Sequence, residues 1–148
     1  MKAIVVASVL AALVFSASIS AKNVKTYINM ESNGSGIKKE YVSLDVETHK
    51  PLTREYYNYD SDGNITIKTV SKWNDKLGWV NYNKYEYNYL ENGKIANISY
   101  TEWNGKKNMW ADKSDLLIHF YNDNGEFLSI RQIEIENSIN DYNLISQK

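Results

Sequence analysis

The chain has 148 residues, 17 basic side chains against 18 acidic ones, and no cysteine. That balance gives no electrostatic pull toward nucleic acid or anionic lipid. The missing thiols exclude disulfides, thiolate metal sites, a cysteine nucleophile and the lipid-modified cysteine of a bacterial lipoprotein.

Residues 1–21 read as a cleavable secretory signal. Lys2 is the positive start, Ala3 to Phe15 is apolar apart from Ser8, and the mostly small residues Ser16 to Ala21 hold the cut, placed after Ala21 with Ala17 and Ser20 as the alternatives. The apolar run is shorter than the roughly 20 residues of a membrane span, and no second candidate follows. The mature chain is therefore expected in the periplasm or outside the cell. Removing 21 of 148 residues leaves 127, with 16 basic and 18 acidic side chains, which suits a single domain over 22–148.

Strands are predicted over 24–31, 37–47, 52–59, 65–73, 79–89, 95–103, 109–121 and 126–136, and the weak pattern of 137–148 predicts a frayed tail. Odd positions from Ile65 to Trp73 alternate with Thr66, Lys68 and Lys72, and Trp79 shares parity with Tyr85, Tyr87 and Tyr89. Short clusters rich in Gly, Asn and Asp separate the runs at 32–36, 60–64, 74–78, 90–94, 104–108 and 122–125, and Thr48-His49-Lys50-Pro51 forms the second loop. Connections that short allow only antiparallel neighbours. The expected fold is an all-β antiparallel meander of about eight strands, built from β-hairpin repeats and strongly twisted or curled, because a flat sheet would leave one apolar face bare.

A phrase recurs along this meander: Tyr57-Asn58-Tyr59-Asp60-Ser61-Asp62-Gly63, then Tyr87-Asn88-Tyr89-Leu90-Glu91-Asn92-Gly93, then His119-Phe120-Tyr121-Asn122-Asp123-Asn124-Gly125. The glycines are 30 and 32 residues apart, and Trp73 and Trp103 follow the first two at the same interval. Repeated sequence implies repeated register, so Tyr57, Tyr59, Tyr87, Tyr89 and Tyr121 are expected on one face.

Chemical motifs are few. The Asp60–Asn64 turn lacks calcium-loop spacing, since counting Asp60 as position one puts Gly63 at four and Ser71 at twelve, and its sister turns replace the first acid by Leu90 and Asn122. His49 and His119 are 70 residues apart with no carboxylate motif between them. Glu86, Glu102, Asp112, Asp115 and Glu134 are the carboxylates from which a hydrolase pair would have to come. No catalytic residue, metal ligand or cofactor is assigned. The sequons at Asn33, Asn64 and Asn97 carry no weight in a chain whose leader and composition look bacterial.

Trp73, Trp79, Trp103 and Trp110 are the candidate ligand-binding residues, because rigid aromatic platforms hold sugar rings and apolar side chains at low entropic cost. Their position beside the turns at 74–78 and 104–108 also fits a purely structural seal. The pattern Tyr-Asn-Tyr-Asp-x-x-Gly-Asn, followed by Lys-Trp-Asn and a second Trp, resembles a family of small secreted proteins of Bacteroides-type gut bacteria known as domain of unknown function 3836. The resemblance covers residues 37–136 and the signal, and implies an exported all-β protein with no assigned activity. More distantly, Tyr59-Asp60-x-x-Gly63 is similar to the YD repeats of bacterial Rhs toxins and teneurins, which implies β-hairpin repeats and nothing about encapsulation. The expected function is a non-enzymatic binding or interaction module for a glycan, a peptide or another envelope protein. The alternatives are a structural assembly protein of the envelope and, further off, a carboxylate-pair hydrolase.

Overall fold

The computed structural model describes residues 23–33 and 36–137, so the expected signal, the tip of the first loop and the tail beyond Asn137 lie outside the described residues. Among the described residues nine strands follow in chain order: β1 Val24–Asn33, β2 Gly36–Asp45, β3 Pro51–Tyr59, β4 Ile65–Asn74, β5 Gly78–Tyr89, β6 Ile95–Asn104, β7 Met109–Trp110, β8 Lys113–Tyr121 and β9 Phe127–Glu136. Every pairing is antiparallel, and the sheet runs β1-β2-β3-β4-β5-β6-β8-β9 with β7 paired to β6. This is the all-β hairpin meander that the turn spacing predicts. The single strand expected over 109–121 is two: Trp110 pairs with Trp103, but Asp115 pairs with Tyr100, a register offset of two residues absorbed around Ala111 and Asp112.

The recurring phrase folds three times into one turn. In each copy the residue after the last tyrosine exchanges backbone bonds across the loop: Asp60 with Asn64 and Gly63, Leu90 with Lys94 and Gly93, and Asn122 with Glu126 and Gly125. The glycine takes positive φ, 83°, 79° and 75° in turn. This is the turn-plus-bulge hairpin in which a left-handed residue lets the strands keep their twist. The acid at position 60 is spent on the turn itself, since the Asp60 carboxylate accepts the amides of Asp62 and Asn64.

Further bulges break the simple alternation. Register shifts fall at Ser43/Leu44, Asn58/Tyr59, Val70/Ser71, Asn88/Tyr89 and Phe120/Tyr121, leaving Leu52, Thr66, Tyr82, Ala96 and Leu128 as the extra residues. Each bulge sharpens local twist. Tyr82 corrects one expectation, because it places Trp79 on the face opposite Tyr85, Tyr87 and Tyr89. Thr66 likewise moves Ile65 off the face of Ile67, Thr69, Ser71 and Trp73.

Every extensive contact between strands is between sheet neighbours, so the described residues form one open layer with β1 and β9 as edges. Among them Ile98 is the fully buried hydrophobic residue, in central β6 opposite Tyr87 and Leu117. A single layer cannot bury apolar side chains under a second one, and broad amphipathic rings laid across strands take that role.

Candidate functional site

Cross-strand partners share a face, and the register divides the aromatics into two sets. Tyr57 lies opposite Lys39 and Lys68, Lys68 opposite Tyr85, Tyr85 opposite Tyr100, and Tyr87 opposite Ile98. With Tyr41, Tyr59, Tyr89 and Tyr121 these make a tyrosine face, which contains all five phrase tyrosines as expected. Burial raises the Tyr87 phenol to about 12 and also pushes Tyr57 up, helped by the hydroxyl that Tyr57 donates to Glu55 at 2.6 Å. These phenols stay neutral at any physiological pH. The joints between repeats lie here: Tyr89 donates its hydroxyl to the Ile65 carbonyl and Tyr121 donates to the Ile95 carbonyl, both at 2.8 Å.

The opposite face carries the four tryptophans. Trp73 pairs with Trp79, and Trp103 with Trp110. Both pairs are edge-to-face, at 5.3 Å and 79° and at 5.1 Å and 82°. Such pairs contribute about 0.5–1.5 kcal/mol beyond the area they bury. Two residues before each first tryptophan stands a buried hydroxyl, Ser71 or Thr101, which bonds Asn81 at 3.3 Å or Ser114 at 2.6 Å. None of the four indoles is buried, and Trp73 is the most open at 37% exposure. Trp73 also lines an open hollow of about 610 Å³ whose apolar side is Pro51 and Leu52 and whose rim includes Asp45, Lys50 and Asp75.

Sequence reasoning missed the cations on this face. The Arg54 guanidinium lies over Trp79 at 4.9 Å and Tyr56 at 5.1 Å, and Lys84 lies over Trp110 at 5.5 Å. The signal was available, since Arg54 and Lys84 are 30 residues apart, three before Tyr57 and Tyr87. A cation above an indole gains about 0.5–2 kcal/mol depending on exposure.

The carboxylates do not converge on a cleft. Glu86 pairs with Lys84 at 2.8 Å, Asp112 with Lys107 at 2.7 Å, and Glu102 accepts from Tyr100 at 3.1 Å. Asp115 faces Glu134 across β8 and β9, but Lys113 bridges to Glu134. His49 stands in a turn at φ 58°, whereas His119 is 7% exposed with both ring nitrogens unpartnered. Among the described residues no group of three His, Cys, Asp or Glu side chains is placed to hold a metal ion.

The fold and its two aromatic faces define a repetitive, single-layer antiparallel β protein. No protein-family model and no curated protein matches the chain. Among solved structures it is similar to a DUF3836 family protein from Parabacteroides distasonis, at 16% identity and TM-score 0.43 over 77% of this chain and 92% of that one. It is also similar to a protein of unknown function from Bacteroides fragilis, at 19% identity and TM-score 0.48 over 80% of this chain and 85% of that one. The first of these carries the family designation that the Tyr-Asn-Tyr phrase resembles.

Proposed function

We propose that the chain is an exported, non-enzymatic binding module that holds a glycan or peptide on its tryptophan face. One observation carries this reading: both tryptophan pairs fall on the same face, one repeat apart, and none of the four rings is buried. Half-open, rigid aromatic surface is what an extended ligand needs, and the hollow beside Trp73 adds a polar rim to it. A glycan, peptide and peptidoglycan-fragment array read by tryptophan fluorescence tests it. A saturable change lost in Trp73→Ala and Trp103→Ala is expected, and silence across the array would overturn the reading.

A second reading, a structural assembly protein of the envelope, is favoured by the edges. Both β1 and β9 are ten residues long, contain no proline, and expose Ile28, Met30 and Ile130. Such edges accept a neighbouring strand. Light scattering behind size exclusion is expected to show mass rising with concentration if assembly is the role, and a constant monomer would remove it.

A further inference from the structure

The proposed binding role leaves the ligand's chemistry open, and the cations on the tryptophan face narrow it. Arg54 enters no ion pair among the described residues, and its Nε is buried without an acceptor. Its buried Nε is out of a ligand's reach and, behind the Asn29 hydrogen bond, its charge already lowers the pKa of Glu40 on the neighbouring strand, but the terminal nitrogens of a guanidinium laid against two rings remain to meet a planar carboxylate. Thirty residues on, Lys84 repeats the arrangement over Trp110, although it shares its charge with Glu86 at 2.8 Å. In the third copy the corresponding residue is Leu116 and no tryptophan follows, so the combination of cation and indole pair occurs twice.

Geometry adds a second constraint. The two tryptophan pairs sit on hairpins two strands apart, about 9.5 Å sideways at roughly 4.8 Å per strand, and they are also staggered along the strands, since Trp73 pairs with Trp79 whereas Glu102 pairs with Asn83. The β5–β6 ladder joins the two hairpins as far as Asn83–Glu102, one residue before Trp103, and so limits how far the pairs can shift. A peptide strand would gain its affinity from backbone bonds at a sheet edge, whereas this face offers rings and charge. A stiff chain that repeats its own stacking face and its own negative charge fits it better.

We propose, resting on that binding role, that the face takes a linear acidic oligosaccharide of uronate type laid across the strands. The C–H faces of its sugars stack on the Trp73 and Trp103 pairs, and a carboxylate accepts from Arg54. The test titrates oligogalacturonates of two and six sugars, malto-oligosaccharides of the same lengths and a peptide panel into the full chain, following tryptophan fluorescence at low and high salt. The hexa-uronate is expected to bind at least about tenfold tighter than the dimer, as a ligand spanning two subsites does, and to weaken in salt. Arg54→Gln is expected to lose about tenfold for the uronate, with Arg54→Lys recovering part of it and far-UV circular dichroism confirming that both variants fold. Equal affinity for acidic and neutral chains, a response to peptides alone, or an unchanged Arg54→Gln titration overturns the uronate assignment and leaves the binding role standing. No response to any ligand overturns both.

Discussion

His119 stands where the other repeats have Tyr57 and Tyr87, and it is the residue most exposed to a change of pH. Its ring lies opposite Ile130, 6.0 Å from Phe127, and burial pushes the imidazole below its ordinary pKa. A base depressed in the folded state is protonated first in the unfolded chain, so stability is full above the unfolded value of about 6.5 and falls as pH drops below it. The depressed carboxylates Glu40, Asp45, Asp60 and Asp75 act in the same direction but only below about pH 4, which leaves the window from pH 7 to 5 to the histidine. Urea midpoints are expected to fall across that window in the parent and to stay level in His119→Tyr, which restores the residue of the other repeats. The joint tyrosines give a second prediction at this scale. Tyr89→Phe and Tyr121→Phe each strip a hydroxyl from a backbone carbonyl, and each should cost about 1 kcal/mol by urea unfolding. The two sites lie a repeat apart, so the double variant is expected to show the sum.

Two glycines in the turns and strands carry different loads, and the space around them decides how much. At Gly63 a Cβ meets nothing within 4 Å, so Gly63→Ala suffers only the left-handed conformation and is expected to lose about 1 kcal/mol. At Gly36 a Cβ would sit 2.0 Å from the Tyr59 carbonyl oxygen, which is backbone and cannot swing away. Gly36→Ala is therefore expected to cost about 2–3 kcal/mol and to loosen the β2–β3 pairing, read as faster amide exchange at Tyr59. Most turns were legible in the sequence because Gly and Asn mark positive φ chemically, the exception being the turn where His49 takes it. The face of Trp79 was not: a bulge at Tyr82 is a register event between two strands, and no residue type announces it. The joint bonds were hidden for a related reason, since the acceptor of Tyr89 is a carbonyl 24 residues away that any amino acid could supply. Asn137, expected to open a frayed tail, donates its side-chain amide to Ala111 and Ser114, contacts that depend on the break between β7 and β8.

At the scale of the sheet, one open layer among the described residues implies a gradient of stability from the centre to the edges. Amide exchange is expected to be slowest in β5 and β6 around Ile98 and fastest in β1 and β9, each held by one neighbour. Uniform protection across the sheet would contradict the single layer. The all-β class and the hairpin order followed from turn spacing, but the open edges did not, because pattern alone cannot say whether a sheet meets itself. The joint tyrosines have a consequence for length. Tyr89 reaches the Ile65 carbonyl just after the first of the recurring turns and Tyr121 the Ile95 carbonyl just after the second, so donor and acceptor correspond at these two seams. A duplicated stretch from Ile65 to Lys94 would meet familiar partners on both sides. Module number can therefore change without new seam partners, and the length of the sheet becomes a matter of gene duplication and not of remodelled surface.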